Sequence, residues 1–329
     1  MSTPFTRKTL TREAIVLGCG VSGLSSAIRL AETGFRTKIV ARERTPFTTS
    51  DVAAAVWYPF RCGPSDRALA WSRRTFRAFR DLVQDPASGI AMVEGVDLLE
   101  RDGGGEPWWR NAVGRFRPAV SSDVAGPYPA GWVFEAPVVA MPFYLAWLEA
   151  KAAELGVAIE TRTVSDLEGL LLEASLVVNC SGLGARELCG DEALHPIRGQ
   201  VVRVAPGHAR RFVQASSGAT PLTYVIPRAD CTVLGGTEDV ESWDLTPDPA
   251  TAASIRSRCV ALVPELASAA VLSHAVGLRP GRPEVRLESV VRPGGVIIHN
   301  YGHGGGGVTL SWGCADEVAR RAAAAIPPI

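Results

Sequence analysis

Lysine is nearly absent from this chain: Lys8, Lys38 and Lys151 are the only ones, and arginine supplies the rest of its 34 basic residues. The 34 acidic residues balance them, so the formal net charge is zero. A surface built to neutralise a nucleic-acid backbone needs a basic excess or a basic stripe. No long basic run occurs, and nucleic acid is not expected as a partner. The seven cysteines, at 19, 62, 180, 189, 231, 259 and 314, contain no C-x-x-C pair. Neither a zinc site nor a disulfide framework is therefore expected. Also missing is any run of roughly 18 apolar residues, the length that a membrane-spanning helix needs. The opening MSTPFTRKTLTREA lacks the apolar stretch of a secretory signal, and the closing AAAAIPPI is not a peroxisomal tripeptide. These absences lead to the expectation of a cytoplasmic protein with free thiols and no membrane contact. Its 47% hydrophobic content is enough for a sizeable core.

Glycine is what the sequence has at the informative places. Residues 13–18 (EAIVLG) form a short apolar run that stops at a glycine, as a buried parallel strand does. GCGVSG follows, then a segment in which Leu24, Ala27, Ile28 and Ala31 recur at helical spacing, with Gly34 placed to end the helix. RTKIVA (36–41) reads as a second strand, so the N-terminus is one βαβ unit. Helical spacing returns at 67–83, 142–155 and 250–263, while 103–136 reads as loops and short strands and 199–273 as mostly β. LVVNCSGLGAREL and VIIHNYGHGGGGVTLSWG repeat the strand, glycine, helix order in the middle and near the end. The expected class is α/β: a Rossmann-like βαβ domain interleaved with a β-rich, mixed-sheet domain.

Gly18, Gly20 and Gly23 complete G-x-G-x-x-G between the first strand and its helix. The first glycine allows the tight turn and the second lets backbone approach a pyrophosphate. The third lets helix and strand pack closely, with the helix N-terminus facing the anion. The acid expected to hold an adenosine ribose at the end of the second strand is Glu43, flanked by Arg42 and Arg44. An arginine there also suits a 2′-phosphate, so this turn alone leaves a nicotinamide cofactor open. His299 and His303 lie four apart, but a glycine-rich turn and the lack of a neighbouring acid or cysteine speak against a metal site. Ser181 is not in a G-x-S-x-G elbow, which speaks against a hydrolase.

TPFTTSDVAAAVWYPF, VVNCSG, GLRPGRPEVRLE and HNYGHGGGGVTLSWG occur in that order at domain-scale spacing. Together they resemble the D-amino-acid oxidases and D-aspartate oxidases, flavoproteins of the glutathione-reductase-like FAD superfamily, over Ile15 to about Ala319. The resemblance implies FAD as cofactor. It assigns 1–57, 138–198 and 282–329 to the FAD-binding domain, and 58–137 and 199–281 to the substrate-binding domain. It implies cofactor contacts from Gly18, Gly20, Val21, Ser22, Gly23, Arg42 and Glu43, and from Thr48, Thr49, Ala53, Ala54 and Val56 in the segment that wraps the pyrophosphate and flavin. Val164 (against adenine), Ser181 and Gly182 belong to the same set. So do Arg286 and Thr309 near the flavin pyrimidine edge, with Gly302, Gly304, Gly305, Gly307 and Val308 around the last glycine turn. Trp57 ends the wrapping segment and is a further site candidate.

By the same resemblance, Arg279 and Tyr224 bind the substrate carboxylate and the Gly305 carbonyl takes the amine. A guanidinium fork suits a carboxylate because two parallel charge-assisted hydrogen bonds fix position and orientation together. The implied reaction is hydride transfer to flavin N5, with the imino acid hydrolysing to a 2-oxo acid and ammonia, and oxygen reduced to hydrogen peroxide. The partners are then a small-molecule D-amino acid and molecular oxygen, and a homodimer is allowed. Glu238 stands where D-aspartate oxidases carry an arginine, and a carboxylate there would repel an acidic side chain. Thr220 and Gly306 replace bulkier residues of mammalian relatives, implying a differently shaped pocket. Neutral, mainly apolar D-amino acids are the expected substrates, with basic ones open if Glu238 points inward. D-aspartate, or glycine and secondary amines, are the alternatives within the family. A nicotinamide-dependent dehydrogenase and a non-catalytic dinucleotide-binding protein are the more distant ones.

Overall fold

The computed structural model describes residues 12–62, 65–100, 105–215 and 220–327. The polar stretch 1–11 and residues 216–219, a few positions before Tyr224, lie outside these residues. Among the described residues the strands form two sheets, of six and nine strands. The first holds β1 (Glu13–Leu17), β2 (Arg36–Ala41), β6 (Ala158–Thr161), β7 (Leu176–Asn179), β14 (Arg286–Arg292) and β15 (Gly295–Tyr301), in the order β14-β15-β7-β1-β2-β6. All its pairings are parallel except β14 with β15. The second holds β3 (Ile90–Leu99), β4 (Phe116–Pro118), β5 (Ala130–Val139), β8 (His195–Val204), β9 (Phe212–Ala215), β10 (Thr223–Pro227), β11 (Thr232–Gly235), β12 (Asp239–Val240) and β13 (Val271–Gly281). The helices are α1 (Val21–Glu32), α2 (Thr49–Val52), α3 (Asp66–Leu82), α4 (Met141–Glu154), α5 (Leu167–Leu170), α6 (Ala185–Cys189), α7 (Pro249–Leu262) and α8 (Gly307–Ala325).

The apolar run that begins at Glu13 becomes β1, at the centre of the first sheet between β2 and β7. Ile15, Val16 and Leu17 are buried, as both faces of a covered parallel strand require. Full burial of each such side chain contributes about 1.5–3 kcal/mol. α1 ends at Gly34, whose φ of +84° is one that glycine adopts without strain. The amide of Phe35 then closes back on the Leu30 carbonyl at 3.0 Å. Helix α8 is gripped between α1 and α3 because the facing residues are small. Ser25 Oγ reaches the Ser311 carbonyl at 3.3 Å, and a Cβ at Gly313 would stand 2.2 Å from the Trp71 carbonyl oxygen.

Three expectations are corrected here. The cut at 198 falls inside β8 and the cut at 137 inside β5, both continuous strands of the second sheet. The segment 103–136 is less irregular than its composition implies, because it contains most of the ten-residue β5. Pro137 is tolerated in that strand, and its carbonyl accepts from Trp57 N–H at 2.8 Å. Helix α3, expected in the substrate-binding domain, packs on α8, expected in the FAD-binding one, with the Gly313 amide donating to Thr75 Oγ1 at 3.0 Å. No helix among the described residues is long and apolar enough to cross a membrane, and all seven cysteines are free.

Candidate active site

Between the two sheets lies a cavity of about 1090 Å³, at or beyond the upper end of the roughly 300–1,000 Å³ usual for one small ligand. One end is the glycine turn after β1. Gly18 sits at φ +110°, and a Cβ there would be 2.4 Å from the Cys180 carbonyl oxygen. At Gly23 it would be 1.9 Å from the Gly18 carbonyl oxygen, so this glycine serves the packing of α1 behind the turn and does not line the cavity. Gly20 is different: a Cβ there would meet only Ser50, Oγ at 3.0 Å, which leaves the turn open toward the cavity. Ser50 Oγ accepts from the Val21 amide at 3.0 Å, and α1 has no side-chain cap on its N-cap residue. Its remaining first-turn N–H groups and the positive end of its dipole therefore face the space where a pyrophosphate would lie. The N-terminus of α8 reaches the same cavity through Gly307, Val308 and Thr309, again without a side-chain cap. Two uncapped helix N-termini and an open glycine turn fit an anionic dinucleotide such as FAD.

Arg42 and Glu43 line this end, exposed and paired with each other at 3.4 Å. Arg44 turns away to Glu149. Thr48, Thr49, Ala53, Ala54, Val56, Val164, Ser181 and Gly182 also line the cavity. Thr48 forms a capping box with Asp51, its hydroxyl donating to Oδ2 at 2.7 Å, and so fixes the wrapping segment. The Thr309 hydroxyl accepts from the Tyr58 amide (3.1 Å) and donates to the Tyr58 carbonyl (2.9 Å), tying α8 to that segment.

The other end is built on one face of the second sheet. Arg279, Tyr224, Gly304 and Gly305 all line it. Arg279 donates from Nη1 to the Thr237 carbonyl at 3.0 Å and stands 5.8 Å from the centre of the Phe60 ring. No carboxylate among the described residues forms an ion pair with it. Its guanidinium lies over Gly199, where a Cβ would be 2.4 Å from Nη2. The Tyr224 ring lies over its cross-strand partner Gly235, where a Cβ would be 2.0 Å from Cζ. Burial raises the Tyr224 hydroxyl above the usual tyrosine range while Arg279 beside it pulls the other way, so Tyr224 stays a neutral donor. Burial pushes the Cys19 and Cys180 thiols up to about 12, with Glu149 adding to the effect at Cys19, and lowers His303 to about 4. All three are cavity residues, and all three are neutral near pH 7. The Asn300 amide gives its NH₂ to Ser26 Oγ (3.1 Å), leaving Oδ1 to accept from His303 Nε2 (3.0 Å).

Several expected site residues sit elsewhere. Arg286 does not line the cavity: Glu288 (2.7 Å), the Tyr301 hydroxyl (2.6 Å) and Asp191 (3.6 Å) surround it. Gly302, at φ +79°, packs against Arg282 and is also outside the lining. Trp57 is fully buried and donates to the Ser72 carbonyl at 3.0 Å, so it is a core residue. Glu238 is held outward by Arg61 at 2.8 Å. Thr220 donates to Glu100 at 2.6 Å, outside the cavity. Gly306 faces Cys62, where a Cβ would be 3.1 Å from Sγ. His299 and His303 belong to no group of three or more metal-ligating side chains among the described residues. Sequence reasoning did not single out Gly199 or Gly235 for the site, nor Tyr58 and Gln214, which also line the cavity. For the three on strands, Gly199, Gln214 and Gly235, only the cross-strand register shows what they face.

Comparison with known proteins agrees with this geometry. The profile of the FAD dependent oxidoreductase family matches residues 13–321. A D-amino-acid oxidase of Rubrobacter xylanophilus is 52% identical over 97% of this chain and 98% of its own length. One from Streptomyces coelicolor is 43% identical over 94% and 96%. A human D-aspartate oxidase is 36% identical over 94% of each chain. Among solved structures, a glycine oxidase from Geobacillus kaustophilus superposes with a TM-score of 0.79 at 19% identity, covering 94% of this chain and 95% of that one, which is a likeness of fold. The chain belongs to the FAD dependent oxidoreductase family. It is an oxidoreductase with FAD as cofactor, and the nicotinamide alternative gives way.

Proposed function

We propose that the protein oxidises D-amino acids, converting a D-amino acid, water and oxygen to a 2-oxo acid, ammonia and hydrogen peroxide. The observation that carries this reading is the Arg279–Tyr224 pair, a cation with no carboxylate partner among the described residues beside a neutral hydroxyl donor in a cofactor-sized cavity. Two relatives above 40% identity, both D-amino-acid oxidases, support it. Bound FAD supplies the two-electron acceptor. With one N–H of Nη1 on the Thr237 carbonyl, Arg279 keeps donors free for the α-carboxylate, and Tyr224 adds a further hydrogen bond. The Gly305 carbonyl is the acceptor for the amine. The contacts to carboxylate and amine fix two substituents of Cα, the space left for the side chain then sets the hand, and orientation supplies most of the rate. With Tyr224 and His303 neutral, the substrate end binds and orients.

Molecular oxygen as acceptor, the cytoplasm as compartment and a homodimer as assembly belong to the same proposal; the free thiols support the compartment. Preference for neutral side chains is also retained, but not on the ground of Glu238, which faces Arg61. The test is an anaerobic visible spectrum of the holoprotein with single D- and L-amino acids. Bleaching by neutral D-amino acids and not by their L-enantiomers is expected. Bleaching by D-aspartate alone would make the human relative the better guide. A protein that takes up FAD but is bleached by no D-amino acid overturns the proposal.

A further inference from the structure

The register of the second sheet sets one row of residues side by side. Val201 pairs with Gly235, Gly235 with Tyr224, Tyr224 with Gln214, and Gln214 with Asp97. Paired residues point to the same face, and neighbouring strands are about 4.8 Å apart. Gln214 therefore stands about one strand spacing, and Asp97 about two, from the tyrosine proposed to hold the substrate carboxylate. Asp97 and Gln214 are each only 5% exposed, and Gln214 lines the cavity. The Asp97 carboxylate accepts from the Tyr58 hydroxyl at 2.9 Å, and Tyr58 also lines the cavity. Burial pushes the Asp97 carboxyl up to about 6, while Tyr58 and Gln214 favour its charged form, so above that pH it is an acceptor-only group. The Gln214 Nε2 is buried beside it without a well-aligned hydrogen bond.

We propose that Gln214, oriented by Asp97, reads the substrate side chain by presenting its amide carbonyl to the cavity, so that the site favours neutral D-amino acids ending in a hydrogen-bond donor over those ending in a carboxylate. An ionised carboxylate can only accept, so the amide must turn its NH₂ toward Asp97, which leaves Oε1 for the cavity. A substrate amide or hydroxyl donates to that oxygen. A substrate carboxylate meets an acceptor backed by a buried negative charge and has no donor to meet it. Asp97 touches no substrate and is a positioning residue. The inference rests on the D-amino-acid oxidation proposed above.

D-asparagine and D-aspartate differ only in NH₂ against O⁻, so their kcat/KM ratio in the holoenzyme at pH 8 is the readout. The wild type should prefer D-asparagine by about a hundredfold or more, chiefly through KM. Gln214→Leu and Asp97→Asn should each cut that ratio by about tenfold, and Gln214→Leu should move preference toward D-leucine. Should Asp97→Asn fail to fold, Gln214→Leu carries the test. A wild-type preference for D-aspartate, or a ratio that stays within about twofold in the folded variants while kcat/KM falls for every substrate alike, overturns the inference alone. A wild-type holoenzyme that oxidises no D-amino acid overturns the functional reading with it.

Discussion

Arg279 and Arg286 stand seven residues apart in GLRPGRPEVR, and the sequence resemblance gives both a place at the site, one on the substrate and one near the flavin. In the fold they are opposites. Arg286 begins the edge strand β14, where a hydroxyl and two carboxylates occupy its guanidinium. Arg279, near the end of β13, has one carbonyl, a neighbouring tyrosine and an aromatic ring, with a glycine beneath it and no counter-charge among the described residues. A guanidinium whose donors are already used holds structure together. One whose donors are left open, in a cavity, is free to hold a ligand. The unused hydrogen-bonding capacity, and not the residue type, separates the two.

The comparison is sharpened most by Arg279→Met. With the only guanidinium proposed for the carboxylate gone, kcat/KM should fall by about a thousandfold, roughly 4 kcal/mol, while thermal stability stays level. Steady-state kinetics and a melting curve check the two halves. Gly199→Ala keeps the charge but places a methyl group 2.4 Å from Nη2, so the guanidinium must move. A loss of about tenfold to a hundredfold, mostly in KM, is expected, because small displacements of a positioning group are costly. Arg286→Met should do the reverse. It should destabilise the holoprotein by about 1–3 kcal/mol through stranded polar partners and leave kcat/KM within about threefold. Loss of activity without loss of stability would break the comparison.

The smallest effect concerns acid. Burial opposes the Asp191 charge, but the Tyr301 hydroxyl and the Arg282 and Arg286 guanidiniums outweigh it and hold the carboxyl below the usual range. Such a group stabilises the fold above the unfolded-state pKa, and the contribution is lost as pH falls through the lower folded value. Asp191→Asn should thus cost about 1 kcal/mol at neutral pH, with the difference from wild type starting to shrink only below about pH 4 and disappearing as pH falls on through the lower folded value. Melting temperatures across pH 3–8 measure it. Asp97 has the opposite sign, since its raised folded value of about 6 makes stability decline as pH rises toward it.

The βαβ unit and the glycine turn were legible because their signals are local. An apolar run, three glycines and a helical period all fall within Glu13–Ala41. Arg279 and Tyr224 were legible through the motifs around them. What was not legible depends on pairing across strands far apart in the chain. Nothing near Gly199 says that an arginine eighty positions later will lie on it. The Asp97–Gln214–Tyr224 row exists only once β3, β9 and β10 are in register. Glu238 and Trp57 misled for the same reason, since whether a side chain faces the cavity, Arg61 or the core is settled by tertiary packing. The same device recurs away from the cavity, where the Phe212 ring lies over Gly95.

The interleaving of the sheets also governs when the protein can be made whole. β1 pairs early with β2, but its other neighbour is β7, and β7 in turn waits for β15. The cavity's two uncapped helix ends come from residues 21 and 307, almost the full span of the chain. A nascent polypeptide leaving the ribosome therefore has its glycine turn long before it has a pocket. FAD can be captured only once α8 has been made and packed beside α1, so cofactor loading reports that these distant segments have folded together.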